Sequence, residues 1–273
     1  MGEERPEDGA GFKRLVESGG RILGGSTSSI IGAAAGAAVA GLPGMILGGA
    51  AASVASEIFL QIGDEFSRRF LSRRETERVG ATLGGISAML QNAQQHGVPI
   101  RTDGFFDADA SGRAQGEEVL EGIIQAAKDE YEERKLPYIM NLGKEVFLKE
   151  DLSRTVAVQL VHLAESLSYQ QLVLLSIIGI NEQQPLGLRD RAYSGEKKEF
   201  SDSRLLASIL QDFNQLKSFG LVTDGDAGGF GPGEFVPARM KVVGGPGKRL
   251  ILYLGLDQIP DSDRLPYVTL LRE

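Results

Sequence analysis

The sequence predicts a mainly α-helical protein with an N-terminal Gly/Ala-rich helical hairpin, a helical middle domain and a winged-helix-like C-terminal domain. Three observations predict this class: an uncharged run of small residues, several segments with apolar residues at helical spacing, and polar, glycine-rich turns between them. We divide the 273 residues into an acidic tail at 1–20, the hairpin with a long helix at 21–97, a helical domain at 98–166 and the winged-helix-like domain at 167–273.

The composition limits the kinds of chemistry that the chain can perform. It contains no cysteine and two histidines, which excludes a thiol nucleophile, a thiolate metal site and a multi-histidine metal centre. Its formal charge of −8 argues against general nucleic-acid binding, because phosphate neutralisation needs clustered lysine and arginine. The Gly-rich GGPGKR turn at 244–249 lacks the spacing of a phosphate-binding loop. We predict no enzyme activity and no cofactor.

The hairpin is predicted from Ile22–Ser56, which runs for 35 residues without a charged side chain. Pro43 interrupts it near the middle, since proline removes a backbone donor and disfavours helix in the residue before it. Small residues recur at every fourth position, which places them on one helical face as in the close packing of membrane helices. The predicted membrane or self-association residues are Ser28, Gly32, Gly36, Ala40, Gly48, Ala52 and Ser56.

Two interpretations of the uncharged run stay open. As a helix, Ile22–Leu42 would be roughly 30 Å long, which matches the hydrocarbon core of a bilayer. Glu57 follows about 20 Å after the turn, where a carboxylate opposes insertion. Insertion is therefore marginal and conditional, and a soluble hairpin packed through its Gly/Ala face is the alternative. A flexible linker is disfavoured because the run contains Ile30, Ile31, Met45, Ile46 and Leu47.

Basic residues flank the run on both sides. Lys13, Arg14 and Arg21 precede it. The flank that follows it consists of Arg68, Arg69, Arg73 and Arg74. A membrane hairpin would place both flanks in one compartment, as the positive-inside rule requires, so we expect them on the cytoplasmic side.

Helical spacing of apolar residues continues along the rest of the chain. It predicts a long helix from Glu57 to Gln95 and amphipathic helices over 117–135, 152–167 and 205–219. We expect Glu130, Glu132 and Glu133 to lie on a solvated face, and Ser168 to cap a helix over 169–178. The helix over 205–219 ends in Leu-Lys-Ser-Phe-Gly-Leu-Val, as the third helix of a winged-helix module often does before its wing.

One loop has the spacing of a calcium site. Asp107, Asp109, Ser111, Gly112 and Glu118 occupy positions 1, 3, 5, 6 and 12 of an EF-hand loop. Pro99 and Gly104 deny this loop an incoming helix, and short motifs match by chance. We therefore expect an ordinary Asp/Ser/Gly loop and no calcium binding.

Four separated segments, in the same order, resemble the bacterial abortive-infection alpha family of phage-defence-associated proteins. They are DGFFD (103–107), EEVLEGIIQAAKDEYEERKLPY (117–138), LSYQQL (167–172) and VPARM…GKRLILYLGLDQIP (236–260). The resemblance implies a helical middle, a winged-helix-like C-terminal part and a defence role, and it implies no catalytic residue. It also implies a helix over Gly247–Leu254, although Leu250–Leu254 is rich in strand-forming residues, and we adopt the helix. The chain departs from the family in its Gly244–Gly247 turn and its Gly/Ala hairpin.

Together these observations lead us to expect a non-enzymatic anti-phage protein. It would be cytoplasmic, associate peripherally or conditionally with the inner membrane through its glycine-zipper-like hairpin, and form oligomeric lesions. The expected partners are membrane lipid, further copies of the chain and an unidentified phage or host trigger, with nucleic acid not expected. The alternative is a soluble winged-helix regulator or scaffold that uses the hairpin for self-association.

Overall fold

A computed structural model describes residues 10–25, 50–110, 112–191, 193, 204–225 and 235–273. The described residues are mainly helical, and a two-stranded sheet forms their β-structure. The chain divides between Ser166 and Leu167 into two compact units. Unit 1 precedes this division, at which the sequence also placed its last domain boundary, and unit 2 follows it.

Unit 1 consists of helices whose apolar faces meet in a common core. Its helices are α1 (Ala10–Gly25), α2 (Ala50–Arg68), α3 (Arg73–Gln95), α4 (Gln115–Asp129), α5 (Leu136–Leu148) and α6 (Arg154–Ser166). A 3-10 turn, Glu133–Lys135, connects α4 to α5, and Pro137 lies in the first turn of α5, where its missing N–H has no helical partner to lose.

The predicted long helix from Glu57 to Gln95 is wrong, because the chain breaks after Arg68 and restarts at Arg73. The restart has a local cause. Ser72 caps α3 in a capping box, in which Ser72 Oγ accepts from the Glu75 N–H and the Glu75 carboxylate accepts from the Ser72 N–H. A Ser-x-x-Glu sequence inside a continuous apolar pattern was the signal for this break.

A chain of aromatic rings forms the centre of unit 1. Phe12 of α1 packs edge-on against Phe59 of α2, which in turn packs against Phe147 of α5, with ring centroids 5.5 Å apart in both pairs. Phe106 stacks on the other side of Phe147 at 5.0 Å. Residues from both sides of the predicted 97/98 boundary therefore share one core.

In the residues that the structure describes, unit 2 contains four α-helices and a two-stranded antiparallel sheet. The helices are α7 (Tyr169–Gln183), α8 (Arg204–Ser218), α9 (Pro246–Leu254) and α10 (Asp261–Arg272). Strands β1 (Val222–Thr223) and β2 (Lys241–Val242) pair antiparallel, with Val222 opposite Val242. The chain turns from α8 into β1 at Gly220, whose φ of 68° favours glycine.

Two sequence predictions in unit 2 are confirmed. Ser168 caps α7 and accepts from the Gln171 N–H, and α7 continues to Gln183, beyond the predicted end at 178. Residues 247–254 are helical, although their composition favours a strand. Leu250 and Leu254 are fully buried and Tyr253 nearly so, which is the three- and four-residue spacing of a helix face. Tertiary packing of that face overrides the local strand propensity.

Candidate membrane and self-association site

The start of α1 packs against the later turns of α2. Gly11 lies against Ser67 near the end of α2, while the next residue, Phe12, lies against Gly63 and Phe59. The Phe12 N–H donates to Asp64 Oδ1 at 2.8 Å and fixes this register. Residues 26–49, which contain no charged side chain, connect α1 to α2 in the sequence.

Glycines let α1 approach α3 at backbone contact. A Cβ atom on Gly19 would lie 2.0 Å from the Ala81 nitrogen, and one on Gly80 would lie 1.8 Å from the Leu15 carbonyl oxygen. A Cβ on Gly84 would lie 2.9 Å from Val16 Cγ1. Hence only glycine permits this helix spacing, and the packing is of the small-residue kind expected for the hairpin.

This contact was not predicted from the sequence. Gly80 and Gly84 form a Gly-x-x-x-Gly pair, which places both on one face of α3. The motif was therefore visible. What the sequence did not show was the helix that packs on it, because that choice depends on the tertiary arrangement.

The structure describes only part of the predicted small-residue row. Ala52 lies in α2, and Ser56, also in α2, is buried with 6% of its surface exposed. The last member of the row thus packs inside unit 1. The remaining members lie outside the described residues: Ser28, Gly32, Gly36, Ala40 and Gly48.

The predicted basic flank lies at the other end of α2 from residues 26–49. Helix α2 has 19 residues and is therefore about 28 Å long. Arg68 is exposed and forms no ion pair with any described residue. Arg69 donates to Glu65 at 2.6 Å and to Glu121 at 2.8 Å. The flank therefore begins about 28 Å along α2 from Ala50.

Arg73 and Arg74 converge on one buried carboxylate. Glu77, 5% exposed in its side chain, accepts from Arg73 at 3.0 Å and from Arg74 at 3.3 Å, and it also pairs with Arg21 of α1. Burial by itself would raise the pKa of Glu77, but the hydrogen bond from Arg73 and the charges of the three arginines outweigh it and lower that pKa. Glu77 therefore stays ionised and ties α1 to the start of α3.

The last acidic residue of the calcium-like loop, Glu118, is paired with an arginine outside the loop. The Glu118 carboxylate accepts hydrogen bonds from Nε and NH2 of Arg154, at 2.8 and 2.7 Å. These hydrogen bonds lower the pKa of Glu118. The Asp109 N–H bonds to the Arg113 carbonyl, which closes a tight turn. Ser111 lies outside the described residues. Within the described ranges, no three His, Asp or Glu side chains converge in a way that could hold a metal ion.

A buried ion pair lies where a solvated face was predicted. Glu130 is 5% exposed and Lys135 is 2% exposed in their side chains, and Lys135 Nζ binds Glu130 Oε2. Glu130 Oε1 also accepts the Glu132 N–H at 2.8 Å. The prediction for Glu130 is wrong because α4 ends at Asp129, so that Glu130 no longer follows the helical face. Tyr131, which the helix predicted over 117–135 included, also lies beyond the end of α4 and is 82% exposed.

Among the described residues, no single helix is long and apolar enough to cross a membrane. One pair of consecutive helices, Arg154–Ser166 with Tyr169–Gln183, passes the length and composition criteria jointly but is interrupted by a bend.

The described residues are mainly helical and divide into two compact units, and an uncharged segment, residues 26–49, lies between α1 and α2 in the sequence. The sequence matches no protein-family model and no curated protein, and the structure matches no solved structure.

Proposed function

We propose that this chain is a non-enzymatic bacterial anti-phage protein of the abortive-infection type. In this proposal it associates with the inner membrane through residues 26–49, assembles there through the small residues Ser28, Gly32, Gly36, Ala40 and Gly48, and forms oligomeric lesions. A phage or host component triggers the transition, and membrane lipid and other copies of the chain are its partners. The proposal needs no catalytic residue and no cofactor.

The uncharged segment at residues 26–49 carries this proposal. The helices on both sides of it are packed in unit 1, as the burial of Leu23 (2% exposed) in α1 and of Ala55 in α2 shows. A 24-residue segment that is free of charge, held at both ends and rich in small residues is suited to enter a bilayer as a hairpin. The resemblance over 103–260 supports the defence role.

Burial at the start of α2 restricts which part of the uncharged run could enter a membrane. Ala55 and Ser56 are buried in unit 1, and Glu57 is exposed on α2. Insertion of the run up to Ser56 would pull these residues out of the core. Insertion of 26–49 alone leaves α1 and α2 in place, so we assign the membrane contact to this shorter segment.

Flotation with membrane vesicles tests the proposal. The full chain is compared with a variant in which residues 26–49 are replaced by a Gly-Ser linker of equal length, which keeps α1 and α2 attached. We expect the parent to float and to protect cells against phage, and the linker variant to do neither while keeping its helical circular dichroism. A linker variant that still floats and protects would overturn the proposal.

A soluble winged-helix regulator or scaffold is the second candidate. The observation that favours it is the order of α8, β1 and β2, since an antiparallel hairpin after a helix is the arrangement of a wing. Lys217 of α8 is paired with Asp224, which leaves Arg204 as the exposed cation of that helix. A DNA-reading role is therefore weakly supported. A parent chain that does not float, but whose oligomers depend on 26–49, would favour this candidate.

A further inference from the structure

The connection between α2 and α3 displays an aromatic ring to solvent. Phe70 has 108% of its reference surface exposed, whereas Phe66, one turn earlier, is fully buried. The turn that presents Phe70 is fixed on both sides, because the Arg69 N–H donates to the Phe66 carbonyl at 3.1 Å and Ser72 caps α3. We call residues 68–74, Arg-Arg-Phe-Leu-Ser-Arg-Arg, the basic corner.

Exposed arginines flank Phe70 in the chain on both sides. The side chains of Arg73 and Arg74 are 79% and 60% exposed, and Arg68 is exposed without an ion pair to the described residues. The carboxylate that binds Arg73 and Arg74, that of Glu77, is buried beneath them. The outward surface of the corner is therefore cationic, although Glu65 and Glu133 lie at its edge with 62% and 38% exposure.

The shape of the corner selects the kind of partner. Phe70 stands on a convex turn, so a protein partner would have to supply a pocket for the ring. A phospholipid surface accepts such a ring at headgroup level without a preformed pocket, and aromatic residues favour that interface. Arginine binds phosphate oxygens with two parallel hydrogen bonds, which matches the headgroups of anionic lipids.

We propose that the basic corner is a contact site for anionic phospholipid membranes, with Phe70 inserted among the headgroups and Arg68, Arg73 and Arg74 bound to their phosphates. This inference does not rest on insertion of residues 26–49, which are attached at the opposite end of α2. If both contacts form on one membrane, α2 lies along its surface. The corner gives the protein a preference for anionic lipid that the uncharged segment lacks.

Vesicle co-sedimentation of the full chain tests this proposal. The vesicles contain phosphatidylcholine alone or phosphatidylcholine with phosphatidylglycerol. We expect binding to the anionic vesicles, weakened by salt, and about a tenfold loss of that binding in Phe70→Ser. The double variant Arg68→Gln/Arg73→Gln should show a similar loss of binding. It should stay folded, because Glu77 keeps Arg21 and Arg74 as partners. Tyr131→Ser is the matched control, because Tyr131 is 82% exposed in the same unit.

A second pair of variants separates this proposal from the proposed function. Ile31→Asp with Leu47→Asp places charges in the uncharged segment and blocks its insertion. Anionic binding that survives in this variant and falls when Phe70→Ser is added supports the corner. The corner proposal is overturned if Phe70→Ser binds anionic vesicles like the parent, if binding is independent of phosphatidylglycerol, or if Phe70→Ser instead dissolves an oligomer that binds no vesicles. In the first two cases, a loss of vesicle binding in the variant Ile31→Asp with Leu47→Asp still supports membrane insertion of residues 26–49.

Discussion

Gly19 of α1 and Ala81 of α3 are in backbone contact, so close that a Cβ atom on Gly19 would lie 2.0 Å from the Ala81 nitrogen. The neighbouring Gly20 has no atom within 4 Å of its own Cβ position. Two adjacent glycines of one helix therefore have opposite roles. Gly19 is required by packing, whereas Gly20 carries only the conformational cost of a glycine within a helix.

Gly19→Ala should detach or shift α1, because the clash is with backbone that cannot rotate away. We expect a loss of about 2–3 kcal/mol in the free energy of unfolding of unit 1, the upper range for overpacked sites. Gly20→Ala should raise it by up to about 1 kcal/mol through helix propensity. Urea denaturation followed by circular dichroism measures both. Equal effects of the two substitutions would contradict the contact.

Removing one partner of the buried Lys135–Glu130 pair should be costly. Lys135→Met leaves the Glu130 carboxylate buried without its cation, so we expect unit 1 to lose about 3–5 kcal/mol. The double variant Glu130→Gln/Lys135→Met removes both charges and keeps an oxygen for the Glu132 N–H, so it should recover most of that loss. If the double variant is as unstable as Lys135→Met, the loss of stability comes from removing the ion pair and not from leaving the Glu130 carboxylate unpaired.

Asp212 in α8 should make unit 2 more stable at mildly acidic pH. Burial raises the pKa of Asp212 above its ordinary 3.8, and the hydrogen bonds from Gln171 and Gln170 offset this only in part. Between 3.8 and the folded pKa, the folded state holds a proton that the unfolded state has lost. The stability contributed by this group therefore rises as the pH falls through that window.

Asp212→Asn should abolish this dependence. The difference in melting temperature between the parent and Asp212→Asn is measured at pH 7 and at a pH near 4. We expect the melting temperature of the parent to rise relative to that of Asp212→Asn at the lower pH. A difference that stays constant, or changes in the other direction, would contradict the raised pKa.

An engineered disulfide should lock α1 onto α3. A Cβ on Gly84 would lie 3.9 Å from Val16 Cβ, inside the usual disulfide range of about 3.5–4.5 Å, and the chain has no other cysteine. We expect Val16→Cys/Gly84→Cys to oxidise readily and to gain up to about 4 kcal/mol, the estimate for closing a long loop. Gly20→Cys/Gly84→Cys is the control and should not cross-link. Non-reducing electrophoresis and thermal melts report both.

The locked protein also tests how the membrane is reached. If residues 26–49 act while α1 stays docked, the oxidised variant floats with vesicles like its reduced form. Loss of flotation on oxidation, restored by reduction, would mean that α1 must leave α3 before the segment can enter the membrane.

Gly36→Leu should abolish membrane assembly and phage protection while unit 2 stays folded. Gly36 is central in the predicted small-residue row, and a leucine there would hold facing helices apart. Leucine also raises hydrophobicity and helix propensity, so weaker membrane affinity would not explain the defect. Ala34→Leu, on the opposite face of the predicted helix, is the control. Full activity of Gly36→Leu would show that the row is not an assembly face.

Local pattern predicted the helices well where one apolar face is buried. In α8, Leu206, Ile209, Phe213 and Leu216 form the buried face at helical spacing. Leu205 and Phe219, which the predicted apolar stripe also included, are exposed. The cap at Ser168 was readable because it depends on residues three apart. The break before α3 has the same local signal at Ser72, a capping box. It was not predicted because apolar residues at helical spacing continue on both sides of it.

The helical class, the positions of several helices and the uncharged segment can be predicted from the sequence, because they depend on neighbours within one or two turns. Tertiary contacts determine which helix packs on Gly80 and Gly84, that Glu130 is buried with Lys135, and that the basic corner lies at the opposite end of α2 from Ala50. Those outcomes depend on contacts between residues far apart in the chain, and helical periodicity carries no information about which helix faces meet.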